Sequence, residues 1–267
     1  MGELVFVGLG LYDEMDISLR GLDEVKTADY VFAELYTSLM NGLDITRLAS
    51  LTGKEIVLVS RRMLEEDNGE KITSAAQRGK AVLLVPGDPL IATTHVELRI
   101  RAERTGTKTR VIHGASIMSA AIALSGLQNY KFGKSVTIPF SDDGAASETP
   151  CIVIRGNLDS GLHTLCFLDI KAEEKRYMTI KEALETLLKT EGGRSNSAVT
   201  RDRIAVGVAR VGSERPAVKA GSLERLLSYE FGDLPHTLIF PGKLHFMEAE
   251  ALIVLAGAPE SVRKLVD

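Results

Sequence analysis

With 267 residues, 45% hydrophobic and 25% charged, the chain has the composition of one large globular domain or two of ordinary size. A net charge of −4 and a pI near 5.8 exclude a protein that binds nucleic acid through its overall charge, because phosphate must be met by clustered Lys and Arg. No apolar run approaches the ~20 residues that span a bilayer, and the two cysteines, Cys151 and Cys166, lack any metal-type spacing. The expectation is therefore a cytoplasmic chain in a reducing compartment, with no membrane, nucleic-acid or metal partner.

The stretch "LVFVGL" (4–9) reads as a first strand, and no basic segment precedes it that would make it a secretion signal. It runs into Gly8-Leu9-Gly10, as a dinucleotide-binding turn would. The third glycine of such a fingerprint, which lets the helix pack on the strand, is replaced by Asp13, followed by Glu14 and Asp16. Carboxylates at a helix start repel pyrophosphate, and no Walker lysine follows. One feature favours a dinucleotide: Glu34 ends the second strand, where a ribose partner would stand. From Asp16, a plausible N-cap, Ile17, Leu19, Leu22 and Val25 fit one helix face.

Further strands are expected at "YVFAEL" (30–35), "EIVLVS" (55–60), "AVLLVP" (81–86) and "TRVIHG" (109–114), with helical patterns between. These runs are continuously apolar and do not alternate, which suits a parallel sheet covered on both faces. The first domain, 1–114, is thus an α/β layer. Its fourth strand ends in the rigid turn Pro86-Gly87-Asp88-Pro89, at the carboxyl edge where open α/β sheets bind ligands; a tight local turn is the plainer reading. Its fifth ends at His113, and Gly114-Ala115-Ser116 leads into a helix of small residues, with Ser116 a natural N-cap. The second domain, 115–267, is richer in β-structure. Strands are expected at 134–140, 163–170, 203–211 and 236–242, and helices at 178–190, 222–229 and from His245. The polar stretches 141–150 and 191–201 read as loops. Three strand ends that are small or acidic and not basic suggest a cationic, adenosine-containing ligand over a phosphate-dominated one.

Six stretches carry a resemblance: "VGLGLYDEMDIS" (7–18), "ELYTSLM" (34–40), "PGDPLIATTH" (86–95), "YKFGKS" (130–135), "GLHTLCFLDIKAEEKRYMT" (161–179) and "PHTLIFPGKLHFMEAEAL" (235–252). Together they make the chain similar to the diphthine synthases, S-adenosylmethionine-dependent methyltransferases of the tetrapyrrole methylase type. The resemblance implies two α/β domains with the cofactor in the cleft between them, and a homodimer. It implies cofactor contacts at Leu11, Asp88, Ile91, Ser116, Ile117, Leu168, Val211 and His236, many of them through backbone groups. The implied reaction is repeated methylation of the amino group of an aminocarboxypropyl-histidine on translation elongation factor 2, giving diphthine and S-adenosylhomocysteine. No residue is identified as the base; Asp88 and Asp169 are candidates. Lys171 and the helix carrying Arg99, Arg101 and Arg104 could meet the acceptor carboxylate or the partner protein, although a solvated helix face is the plainer reading for those arginines. His95, His113, His163 and His245 read as structural. The stretch 141–157 departs from the family in lacking an aromatic residue. A precorrin-type tetrapyrrole methyltransferase and an inactive cofactor-binding regulator remain the alternatives, and the LDIKAE and PGKLH stretches argue against the first.

Overall fold

A computed structural model describes residues 2–141, 146–192 and 197–267. Parts of the two expected loops, 142–145 and 193–196, lie outside the described residues. The chain divides into two compact units, residues 1–117 with 172–175, and residues 118–171 with 176–267. Each is an α/β layer structure.

In the first unit, strands β1 (Glu3–Gly8), β2 (Tyr30–Glu34), β3 (Val57–Val59), β4 (Lys80–Val85) and β5 (Lys108–Ile112) form one sheet in the order β3-β2-β4-β1-β5. Every pairing is parallel. The apolar runs are continuous because both faces are covered. Leu4 and Phe6 pack on one side with Ile72 and Ala75 of α4 (Glu70–Arg78) and Leu98 of α5 (Val96–Arg104). Val5 and Val7 pack on the other with Val25 of α1 (Leu19–Lys26) and Leu48 of α2 (Ile45–Thr52). Helix α3 (Arg61–Glu65) joins the first side through Leu64. Burying each such side chain contributes roughly 1.5–3 kcal/mol.

One expected cap is corrected. Helix α1 starts at Leu19, and Ser18, not Asp16, is its N-cap, its Oγ accepting the amide of Gly21 at 3.0 Å. Asp13 caps a separate 3-10 turn at Glu14–Asp16.

The second unit contains all of α6 (Ile117–Ser125) but its first residue and carries a mixed sheet in the order β11-β10-β12-β7-β6. Its strands are β6 (Val136–Ile138), β7 (Thr164–Leu168), β10 (Ile204–Ala209), β11 (Ala217–Ser222) and β12 (His236–Phe240); a short hairpin, β8 (Ile170–Lys171) and β9 (Arg176–Tyr177), stands apart. Only the β6–β7 pairing is parallel. One face is covered by α7 (Thr149–Asp159), α8 (Ile180–Glu191) and α9 (Leu223–Leu227), through Ile154, Leu184 and Leu223 among others. Helix α10 (Phe246–Ala256) packs against β11. Thr179 and Glu182 form a capping box at the start of α8.

Two departures from the sequence-based expectations stand out. The expected loop 141–150 gives way at Thr149 to a helix that was not expected, α7: Pro150 occupies the first turn, where its missing N–H costs nothing, and Cys151 and Ile154 give it a buried face. Strand β11 was not expected at all; "AVKAGS" is short of large apolar residues, and it pairs along its whole length with β10. Among the described residues no helix is long and apolar enough to cross a membrane.

Candidate functional site

Parallel strands deliver their following loops to one edge, and three of these loops meet at glycines. A Cβ placed on Gly8, at the end of β1, would lie 2.5 Å from the carbonyl oxygen of Gly87 and 2.6 Å from the amide nitrogen of Gly114. Because Gly8 has no side chain, the loops after β4 and β5 touch across the end of the strand that separates them. Gly10 and Gly87 are bridged by a reciprocal backbone pair, at 3.3 and 2.6 Å, and both have positive φ, +87° and +70°.

The acidic turn after Gly10 holds its own anion. Asp16 Oδ2 accepts the amides of Leu11 at 3.0 Å and Tyr12 at 2.7 Å, and Asp13 Oδ1 accepts that of Met15 at 2.8 Å. Glu14 is buried, with Arg47 Nε at 2.9 Å. The amides that would cradle phosphate in a dinucleotide turn are therefore occupied by Asp16, which argues against that ligand.

Asp88 is buried at the same edge. Its Oδ1 accepts the Leu90 amide at 3.2 Å, and its Oδ2 lies 2.7 Å from Nδ1 of His113, whose side chain is 77% exposed. Of the expected contacts, Leu11 follows β1, Asp88 and Ile91 follow β4, and Ser116 and Ile117 follow β5, so all five gather at this edge. Ile91 is an exposed large apolar side chain there. His113, read from sequence as structural, is instead an exposed imidazole oriented by a buried carboxylate; its 25-residue separation from Asp88 hid the pairing.

A second buried pair ties two neighbouring loops together. Glu34, at the end of β2, accepts the amides of Tyr36 and Thr37 at 3.0 and 3.1 Å and lies 3.1 Å from Nε2 of His95, which closes the loop after β4. Both side chains are buried. Glu34 thus organises the YTS turn and does not stand out to meet a ribose.

In the second unit, Leu168 ends β7, His236 begins β12 opposite Ala209 of β10, and Val211 lies two residues beyond β10. All three are at one edge of that sheet. The His236 Nδ1 accepts the Ile180 amide at 3.3 Å, while Nε2–H points to the carbonyls of Gly232 and Asp233, each at 3.2 Å. Burial holds its pKa below the ordinary histidine value, against the pull of those carbonyls, so the ring is neutral at neutral pH. Asp169 accepts the amides of Phe140 and Ile170, both at 2.9 Å, and so serves the backbone. Close by in the chain, the guanidinium of Arg176 lies 3.7 Å above the Phe140 ring and the Lys171 ammonium 6.0 Å from it. Arg99 and Arg101 are engaged at their own helix surface, by Thr109 and by Glu97 and Asn68.

These features fit a sulfonium nucleoside. The segments 8–12, 86–95 and 113–117 contain no Lys or Arg, and they supply a buried carboxylate, an exposed isoleucine and backbone groups. The Cβ direction at Gly87 is open, its nearest neighbour being the Ala115 carbonyl oxygen at 3.9 Å, which leaves room for a flat group against the chain. Among the described residues no cluster of His, Cys, Asp or Glu is arranged for a metal.

Residues 3–227 match the family model described as Tetrapyrrole (Corrin/Porphyrin) Methylases. The chain is 48% identical to a diphthine synthase of Methanococcoides burtonii, over 99% of this chain and all of that one. It is also 48% identical, with the same coverage, to a diphthine synthase of Methanosarcina barkeri. Among solved structures it superposes on a crystal structure of diphthine synthase with a TM-score of 0.89, at 44% identity and covering 98% of this chain and 99% of that one.

Proposed function

The chain belongs to the tetrapyrrole methylase family and, within it, to the diphthine synthases, which are methyltransferases; from that premise we propose that it trimethylates the amino group of the aminocarboxypropyl-histidine of elongation factor 2. The methyl donor in this reading is S-adenosylmethionine, and the protein acts as a cytoplasmic homodimer. When bound, that cofactor supplies a methyl group on a positively charged sulfur, open to attack by a neutral amine.

The observation that carries the reading is the glycine-packed edge of the parallel sheet, with the buried Asp88 and with no Lys or Arg in the segments 8–12, 86–95 and 113–117. Leu11, Asp88, Ile91, Ser116 and Ile117 on that edge, and Leu168, Val211 and His236 on the edge of the second sheet, contact the cofactor. Asp88 faces its hydroxyl or ammonium groups, Ile91 and Leu168 its apolar parts. A neutral His236 adds no positive charge beside a sulfonium. Positioning of the amine supplies most of the acceleration.

The proton that must leave the ammonium form of the acceptor goes to His113. Its Nδ1 is held by Asp88, which directs the opposite nitrogen, Nε2, away from the buried carboxylate as a proton acceptor. Lys171 and Arg176, around Phe140, are suited to the acceptor's carboxylate.

The test is mass spectrometry of the modified peptide after incubating elongation factor 2, bearing aminocarboxypropyl-histidine, with the protein and S-adenosylmethionine. Mass gained in up to three methyl steps, absent when the histidine is unmodified, is the expected result. No gain on this acceptor, together with label transferred to a precorrin, would move the chain to tetrapyrrole chemistry.

A further inference from the structure

Arg210, the residue after β10, has a backbone that ill suits its type. Its φ is +52°, a left-handed conformation that glycine adopts freely and that crowds the Cβ of any other residue. The chain turns there only after a last rung with β12, because the Arg210 amide donates to the Pro235 carbonyl at 2.9 Å. The next residue, Val211, is buried. A side chain persists in such a backbone when the structure around it over-determines the position.

The Arg210 guanidinium does that. Its Nη1 donates to the carbonyl of Phe231 and, at 3.1 Å, to that of Asp233, while Nη2 reaches the Arg215 carbonyl at 3.5 Å. Its acceptors among the described residues are thus backbone carbonyls, and no carboxylate takes the fork. Two of those carbonyls belong to the turn 231–235, between α9 and β12, which ends one residue before His236. A Cβ on Gly232 would lie 2.6 Å from Arg210 Nη1, so the guanidinium passes directly over the backbone of that turn. At the start of the turn the buried Phe231 ring covers Gly207 of β10, where any Cβ would overlap it. His236 hangs from the same turn. Its Nε2–H donates to the Gly232 and Asp233 carbonyls, so the Asp233 oxygen is shared between Arg210 and His236.

We propose that Arg210 is a positioning residue for the methyl donor, acting on His236 through the turn 231–235 and on Val211 through its own backbone. This rests on the cofactor contacts proposed above for those two residues. His236 does not fix its own place: both ring nitrogens are engaged, Nδ1 by the Ile180 amide and Nε2 by the turn, so the ring stands wherever α8 and the turn hold it. Packing of Phe231 secures one end of the turn, and the guanidinium secures the carbonyls on which the ring hangs. A lysine is no equivalent, because a rotating ammonium lacks the planar fork that addresses several carbonyls in fixed directions.

Arg210→Gly tests this, since glycine accepts the left-handed backbone and the change removes the guanidinium. By circular dichroism it is expected to fold, with a melting temperature close to that of the wild type. In calorimetric titration its Kd for S-adenosylmethionine is expected to rise at least ~10-fold. In the methyl-transfer assay KM for S-adenosylmethionine is expected to rise with kcat kept, because the reacting amine is untouched. Methylguanidine is expected to restore part of the affinity of this variant and to change nothing in the wild type. Arg210→Lys, which keeps the charge and the Cβ, is expected to bind ~3-fold or more weakly than the wild type and keeps the test decisive should the glycine variant unfold. Wild-type affinity in either variant, folded, would overturn the proposal, as would a lower kcat at unchanged KM. A wild-type protein that binds no S-adenosylmethionine would overturn instead the cofactor reading beneath it.

Discussion

Each unit buries one glutamate against one histidine, and the two pairs do different work. In the parallel-sheet unit, Glu34 and His95 both belong to loops leaving the carboxyl ends of strands, so their contact ties together segments beside the glycine edge. In the mixed-sheet unit, Glu248 of α10 meets His163 at the start of β7, at the opposite end of that strand from Leu168. Glu248 takes His163 Nε2 at 2.9 Å, Lys131 Nζ at 3.1 Å, and the amides of Gln128 and His245, while His163 Nδ1 accepts the Gly242 amide at 2.9 Å. The second pair staples a helix, a turn and a strand. A parallel sheet gathers its loops on one side, so a polar pair there serves the site; a mixed sheet spreads its strand ends, so the same chemistry can be wholly structural.

The largest expected effect is at the staple. Glu248→Ala leaves a buried imidazole N–H, an ammonium and two amides without their acceptor, and should lower stability by about 3–5 kcal/mol, read from denaturant unfolding. Next comes acid. Burial pushes the Glu248 carboxyl up, but His163 and the two amides outweigh it and hold its pKa at about 2 against an ordinary 4.5. The unfolded chain binds the extra proton between these values, so stability present above pH 4.5 drains as the pH falls toward 2, by on the order of 3 kcal/mol. Unfolding measured across that window should show the loss, and Glu248→Gln should flatten it; an unchanged acid slope in that variant would remove Glu248 from the explanation.

At the glycine edge the effects are smaller in stability and larger in binding. Gly8→Ala drives a methyl group into the backbone of Gly87 and Gly114, at an expected 1–3 kcal/mol. Calorimetric titration should find S-adenosylmethionine binding abolished in a folded protein. Glu34→Gln keeps the shape and loses a charged acceptor, for about 1 kcal/mol, yet should reduce methyl transfer at least ~10-fold by loosening the loop that carries Asp88. If Glu34→Gln costs stability but leaves transfer intact, the contrast between the two pairs collapses.

Much of the first unit was readable in advance, because strands buried on both faces must be apolar at every position, as 4–8 and 81–85 are. The second unit was harder for the same reason in reverse. Its strand β11 is small and half-covered, and α7 carries a proline in its first turn and contains Gly156 and Asn157, residues that locally suit a loop as well as a helix.

The sequence by itself determined the layer class, the glycine turns at the strand ends, the absence of positive charge around them and, through its motifs, the family. These are properties of residue type and spacing along the chain. Only the tertiary structure decided which side chains meet. The sequence offered Asp16 as the cap of the first helix; in the fold Asp16 instead accepts the Leu11 and Tyr12 amides, and Ser18 takes the cap. Asp88 and His113 stand on loops from strands that are not neighbours. They pair because β1 lies between those strands and ends in a glycine, and that spatial order is set by packing across the whole sheet.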